Sequence, residues 1–276
     1  EADLWGRIRR LVEAGDAGTK ASASDLMNAR LSAQATLAQN YFQLRALDSQ
    51  KQLLEETTAA YAKTLELTKN RYTVGVASRA DIVQAESQLA STRSQALDLG
   101  VQRAQLEHAI AVLLGRPASG FSLAPGTLAA APPAVPATGL PADLLERRPD
   151  IAAAERRVEA ANAQIGVAKA AFFPTATLGA TYGYQTATPS LWFNHPSLFW
   201  SVGPALALTL FDGGRRAAVS DQALASYDQT VANYRGTVLQ AFADVEDNLA
   251  ALRILQAEAE IQNEAVKSAQ QSLDIT

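Results

Sequence analysis

The chain has 276 residues, a net charge of -4 and no cysteine, which suffices for one or two domains and offers no basic surface of the kind nucleic acid requires. Without cysteine there are no disulfides, thiolate metal sites or cysteine nucleophiles, and only two histidines, His108 and His195, could act as metal ligand or imidazole base. No cofactor or metal is therefore expected, and no apolar run is long enough for a membrane-spanning helix or has the order of a signal peptide.

Residues 7–73 contain no proline and are dominated by Ala, Gln, Leu, Glu, Lys and Arg, with larger apolar residues at Leu37, Tyr41, Leu44, Leu47, Leu54, Tyr61, Leu65 and Tyr72. This narrow stripe predicts a single helix, about 100 Å long at 1.5 Å per residue. A globular core cannot bury that length, so the helix must pack against other long helices, with Ala33, Ala35 and Ala38 permitting close approach. The run is interrupted at RYTVGVASRADI, residues 71–82.

A second helix is predicted from about residue 79 to 114. Ser78 is a good N-cap, and Asp81 can complete a capping box or meet the helix dipole. Gly115, Arg116 and Pro117 end the helix. The two helices form an antiparallel hairpin whose tip is residues 74–77. Residues 118–141, rich in Pro, Gly and Ala, are expected to be irregular, as an extended patch or strap between two halves.

The second half opens with ADLLERR, then Pro149 at a first helical position beside Asp150, and a helix to about residue 171. The period then changes to two. In PTATLGATYGYQ, Ala176, Leu178, Ala180, Tyr182 and Tyr184 alternate with small or polar residues, and LFWSVGPALALTLF repeats the device with Leu198, Trp200, Val202, Leu206, Leu208 and Leu210 on one face. Each predicted strand is roughly ten residues long and uncharged, with aromatics near both ends: Phe172, Phe173 and Phe211 at one, Tyr182, Tyr184, Phe199 and Trp200 at the other. These are marks of a transmembrane β-hairpin with Leu178, Tyr182, Tyr184, Trp200, Val202, Leu206, Leu208 and Leu210 facing lipid; the same alternation also fits a half-buried sandwich pair. Pro204 argues mildly against a central soluble strand and is awkward in a barrel too. A lone hairpin leaves open edges that lipid does not tolerate, so further strands must come from elsewhere.

With Gly6-Arg7 written over Gly214-Arg215, the chain aligns with itself without a gap to its end, pairing Leu31 with Leu239, Asn40 with Asn248, Leu44-Arg45 with Leu252-Arg253, Leu47 with Leu255, Glu56 with Glu264 and Thr68 with Thr276. About one pair in five is identical, roughly double the chance level for so alanine-rich a chain, which indicates a modest internal duplication. The duplication predicts a first hairpin before Glu1 and a second helical tip after Thr276, and so a longer protein. Gly6, Pro174, Gly213 and Gly214, with Asp3, Leu4, Trp5, Phe211 and Asp212, mark strand-to-helix junctions and read as structural.

The phrases LPADLLERRPDIAAAERRVEAANAQIGVAKAAFFPT, LTLFDGGRR and ELTKNRYTVGVASRADIVQAESQL closely resemble the TolC-like outer-membrane efflux family, in its RND-pump lipoprotein branch. The resemblance covers essentially the whole chain. It implies a mainly α fold with a transmembrane β-hairpin: long antiparallel coiled-coil helices form a periplasmic α-barrel, joined to a β-barrel shared by a homotrimer in which each protomer gives four strands of twelve. Under that reading residues 1–117 are the first-repeat helical hairpin with its tip at 71–81, and 118–148 an irregular equatorial belt. Residues 149–173 are then a second-repeat helix, 174–211 the membrane hairpin and 212–276 the second-repeat long helix. Any lipid-bearing cysteine would lie before Glu1.

The implied function is a passive outer-membrane conduit, not an enzyme, docked to a periplasmic adaptor and an inner-membrane RND pump, with outer-membrane lipid as its other partner. The tip resembles the family's docking motif, in which Gly75 permits the reversal, Val74 and Val76 present apolar contacts, and Arg71, Tyr72 and Ser78 flank them. Asp81 stands where family members carry an aspartate that helps hold the tunnel closed. From the residues alone, Gly75 is equally a helix terminator, Ser78 a cap and Asp81 a capping-box acid. His108 reads as a solvated or tunnel-wall residue, His195 as a loop residue, and Glu155, Arg156 and Arg157 as a solvated helix face. Two other readings stay open: the conduit of a type I protein secretion system, and a soluble coiled-coil scaffold with an ordinary sheet cap.

Overall fold

Four long α-helices, three single-turn 3-10 helices and one two-stranded sheet are the regular elements of the described residues, 1–126 and 146–275 of a computed structural model. The helices are α1 (Arg7–Thr73), α2 (Arg79–Leu113), α3 (Pro149–Ala170) and α4 (Arg215–Ile275); the strands are β1 (Thr175–Tyr184) and β2 (Leu198–Ala207). α1 runs unbroken for 67 residues and α4 for 61. Most of the expected belt, and most of ADLLERR, falls on residues 127–145 and lies outside the described residues.

The ends of the helices are set by local chemistry. α1 starts where the Asp3 carboxylate accepts the amides of Ile8 and Arg9, both at 2.9 Å. α4 starts where Asp212 accepts the amides of Gly214 and Arg216, both at 3.1 Å. Each acid thereby satisfies amide donors that the first helical turn leaves without partners. α3 carries Pro149 in its first turn, with Asp150 behind it and Lys169 in the last turn, the charge order the helix dipole favours.

Two compact units divide the chain, residues 1–28 with 137–276, and residues 29–136. In the first, α3 is buried along a stripe of small side chains, Ala153, Ala154, Ala163, Ala168 and Ala170, with Ala14, Ala17 and Ala21 of α1 and Ala241 of α4 also buried. Such side chains let helices approach closely, and polar links secure the contact. Arg157 reaches Asp25 at 2.5 Å, and Arg148 bridges Asp150 at 2.7 Å and Asp244 at 3.0 Å. Arg157, expected on a solvated face, is thus a link from α3 to α1. In the second unit α1 and α2 form the helical hairpin. Leu44, fully buried, with Leu89, Thr92, Ile110 and Ala111 forms its inner seam, and Leu47, Leu54, Tyr61 and Leu65 of the predicted stripe are half-buried.

β1 and β2 pair antiparallel, with Leu178 opposite Pro204, Ala180 opposite Val202 and Tyr182 opposite Trp200. The apolar residues of both strands therefore share one face. Two details depart from the sequence reading. Leu208 and Leu210 lie past the end of β2. The register would place Leu208 opposite Pro174, which has no amide to donate and whose carbonyl accepts the Trp5 indole N–H at 2.7 Å. Phe199, grouped with the end-of-strand aromatics, lies on the opposite face, its ring over Gly183, where a Cβ would sit 3.2 Å from it. The amide of Ala2 donates to Ala176 at 2.8 Å, so chain from before α1 begins to pair along the other edge of β1.

Candidate functional site

The reversal at the hairpin tip is built from backbone hydrogen bonds. Gly75, at φ +78°, donates to the Tyr72 carbonyl at 3.0 Å, and Val76 donates to Arg71 at 2.9 Å. This six-to-one, five-to-two pair is the Schellman termination, and its left-handed residue favours glycine. The same pattern closes α2, where Gly115 donates to Val112 at 3.0 Å and Arg116 to Ala111 at 2.9 Å.

Three residues past Gly75, the α2 capping box is complete. Ser78 Oγ accepts the Asp81 amide at 3.2 Å, while Asp81 Oδ2 accepts the Ser78 amide at 2.7 Å and its hydroxyl at 2.9 Å. These bonds from Ser78, backbone first and then hydroxyl, hold the Asp81 carboxyl below its ordinary value. Gly75 is therefore a helix terminator, Ser78 a cap and Asp81 a capping-box acid.

What the tip presents outward is also defined. Arg71, Tyr72, Val74, Gly75, Val76 and Ser78 are all exposed, with Val74 and Val76 the most open apolar pair. Asp81 borders a groove of about 280 Å³ between α1 and α2, lined also by Tyr61, Thr64, Gln84, Ala85 and Gln88. Lys69 and Glu86 pair across the hairpin at 2.9 Å with both side chains half in solvent.

The apolar hairpin face is bare. Leu178, Tyr182, Trp200, Val202 and Leu206 are each exposed by three-fifths or more, whereas Tyr184 is half-buried against the Phe193 ring. At the junction with the helices, Trp5 stacks on Phe173 at 4.8 Å, and Arg216 lies over the Phe172 ring at 5.5 Å. Gly6, Gly213 and Gly214 all take positive φ there, beside the Asp3 and Asp212 caps.

One cluster gave no signal in the sequence. Asp48, Arg45, Arg103 and Glu107 meet in the hairpin with side chains that are 4–15% exposed. Arg103 donates to Asp48 at 2.7 Å, Glu107 at 3.1 Å and the Leu123 carbonyl at 2.6 Å. Arg45 donates to Asp48 at 2.9 Å and the Ala124 carbonyl at 2.8 Å. Glu107 accepts the Leu123 amide, and Asp48 the Gly126 amide at 3.1 Å. The four side chains thus clamp residues 123–126, where the chain leaves the helical hairpin. Only the match of Leu44-Arg45 to Leu252-Arg253 marked any of them in the sequence.

Among the described residues no group of acids and histidines is arranged to hold a metal, and no helix is long and apolar enough to cross a membrane. His108 and His195 are both exposed.

Comparison with known proteins places this geometry. The profile of the family described as Outer membrane efflux protein matches residues 1–116 and 140–276. The chain is 35% identical over 278 residues to the outer membrane protein OprJ of Pseudomonas aeruginosa, covering 98% of this chain and 58% of OprJ. It is 36% identical over 270 residues to the toluene efflux pump outer membrane protein TtgF of Pseudomonas putida, covering 98% and 56%. The solved outer membrane protein VceC from Vibrio cholerae matches with a TM-score of 0.86 at 30% identity, over 99% of this chain and 65% of VceC. The chain spans less than three-fifths of the length of these curated relatives. A mostly helical chain with one small antiparallel hairpin, matched along both halves, belongs to the outer membrane efflux protein family, whose structures are TolC-like channels of the outer membrane.

Proposed function

We propose that the whole protein is the outer-membrane channel of a tripartite efflux system: a passive homotrimeric conduit that exports small molecules, drugs or other toxic compounds, when docked to a periplasmic adaptor and an inner-membrane RND pump. The observation that carries this reading is the uncovered apolar face of the β-hairpin, opposite a face of Thr, Ser, Gly and Ala with Phe199 at its loop end. Such a surface is costly in water and suited to lipid outside a polar lumen. The start of a third strand at Ala2 supports a larger sheet, closed by strands from the rest of the chain and from other copies. α4 supports assembly too. Every side chain described from residue 251 to 273 is exposed, among them Leu252, Ile254, Leu255, Ile261 and Leu273, a surface that fits further helices. Relatives named for toluene efflux and pyoverdine export support small organic substrates.

Within this reading the belt is residues 118–148, and Val74 and Val76, raised on the Gly75 turn, form the adaptor-docking knob, flanked by Arg71, Tyr72 and Ser78. Asp81 combines its cap with a role at the constriction, where carboxylates from neighbouring copies favour cations and repel one another on opening. The test is single-channel conductance of the full-length protein in planar bilayers, for wild type, Asp81→Ala and Ser78→Ala. Wild-type channels that stay mostly closed, with Asp81→Ala opening more readily than Ser78→Ala, are the expected result. Equal conductance in all three returns Asp81 to capping alone, and failure of the protein to insert refutes the conduit.

A further inference from the structure

Between Lys169 and Asp212 the sequence has no Asp, Glu, Lys or Arg, so the loop joining β1 to β2 carries His195 as its one ionisable side chain. A loop meant only for water ordinarily carries charge. Here its centre is Leu191-Trp192-Phe193, and all three side chains are exposed, Phe193 by 77%.

The loop is folded, not loose. Ser197, buried, donates its hydroxyl to the Leu191 carbonyl at 2.8 Å and its amide to Asn194 at 2.9 Å; Asn194 donates to Leu191 at 3.1 Å, and Gln185 to Ser197 at 2.7 Å. These bonds hold Phe193 at φ 66°, a conformation that a bulky side chain rarely adopts. The effect is to turn both rings outward. Trp192 stacks on Phe193 at 6.1 Å, Phe193 meets Tyr184 edge-on at 5.5 Å, and Tyr184 meets Tyr182 at 6.4 Å. The four rings form one ladder, continuous with the bare face of Leu178, Trp200, Val202 and Leu206.

We propose that Trp192 and Phe193 are an interfacial anchor: the loop lies down on the membrane, and its two rings insert at headgroup depth in the lipid leaflet nearest the loop. The partner is a lipid surface, selected by three features. The ladder prolongs the face that already fits lipid, and not a strand edge, where a second copy would pair. No Asp, Glu, Lys or Arg side chain has to be desolvated, and the exposed His195 can stay on the water side of the loop. Trp and Tyr, apolar with one polar atom each, are the side chains that favour the boundary between headgroups and acyl chains. The inference rests on the reading of the hairpin as membrane-embedded.

The experiment uses the full-length protein in phospholipid vesicles that contain lipid spin-labelled at a shallow or a deep acyl position. Two single-tryptophan proteins are compared: one keeps Trp192, the other keeps Trp200, with the remaining tryptophans replaced by phenylalanine. The shallow label is expected to quench Trp192 at least about twofold more than the deep label does, with little quenching by aqueous iodide. Free quenching of Trp192 by iodide, or protection from both lipid label and iodide, overturns the anchor; the second pattern means the rings pack on protein. Trp200 separates the two readings. If lipid quenches Trp200 but not Trp192, only the anchor fails; if lipid quenches neither, the membrane hairpin fails as well.

Discussion

Replacing Arg103 by alanine tests whether the buried ion cluster fastens the chain that leaves the helical hairpin. The Arg103 guanidinium supplies the Asp48 contact at 2.7 Å, the Glu107 contact at 3.1 Å and the bond to the Leu123 carbonyl at 2.6 Å. Removing one partner of a buried ion pair costs about 3–5 kcal/mol, because the remaining charge is left desolvated. Asp48 would retain Arg45 and the Gly126 amide, and Glu107 the Leu123 amide. The loss should therefore fall near the lower end, about 3 kcal/mol, or roughly a hundredfold in the equilibrium for opening the strap. Hydrogen exchange of a peptide covering residues 121–126 in the full-length protein measures this directly. Exchange should accelerate by about that factor in Arg103→Ala, and by less in Arg103→Lys, which keeps a charge without the fork. Lys51→Ala, at the exposed Lys51–Glu55 pair of 3.7 Å, should change nothing. A folded Arg103→Ala protein whose 121–126 exchange moves by less than about threefold would show that the clamp does not hold the segment.

Three further outcomes follow from the geometry. No atom lies within 4 Å of a Cβ built on Gly75, so Gly75→Ala pays only backbone strain, about 1 kcal/mol, and Gly75→Asn should recover much of it; equal losses in local exchange protection would refute the strain account. Ala163 is fully buried between helices, so Ala163→Leu should overpack α3 by about 1–3 kcal/mol and lower the unfolding temperature, whereas Ala163→Gly loses helix propensity without a clash. The Asp81 carboxyl titrates below its unfolded value of about 3.9, so its cap is fully present above that pH and is lost as pH falls through the lower folded value; the Ser78 amide shift should follow this titration and lose it in Asp81→Asn.

The parts legible in the sequence are those decided within a few residues. Gly75 and Gly115 stop helices, and Ser78 with Asp81 starts one, because each cap is closed by bonds to backbone three to six residues away. Strand faces were equally legible, since period two assigns every side chain once the register is set. Strand ends were not. The alternation continues through Leu208 and Leu210, but pairing stops where Pro174 has no donor to offer and Trp5 takes its carbonyl. Phe199 was grouped by residue type when parity should have governed, and Gly183 is the partner that makes room for it. The clamp was invisible because Asp48, Arg103 and Leu123 are far apart in sequence and each resembles an ordinary helix-surface or loop residue until the chain folds.

The distribution of these contacts within the helical hairpin bears on how a conduit of this kind could open. Its buried ion pairs are concentrated at one level, where Asp48, Arg45, Arg103 and Glu107 meet next to the fully enclosed Leu44, and Leu89 and Thr92 carry the buried seam part of the way toward the tip. Toward the tip, the cross-hairpin pair of Lys69 and Glu86 is half in solvent, and the terminating bonds at Gly75 and the box at Ser78 and Asp81 are exposed. Exposed ion pairs contribute little, about 0–1 kcal/mol, whereas severing the clamp costs several times more. The last turns of α1 and the first of α2 can therefore separate or rotate while the clamped level stays closed, which is the low-stability end from which moving parts are drawn. The Gly75 turn keeps the two helix ends joined through such a motion, because its bonds run within residues 71–77 and none crosses to the body of α2. Under the proposed docking, an adaptor seated on Val74 and Val76 would pull on the part of the hairpin that yields at least cost, and Asp81, in the first turn of α2, would move with it.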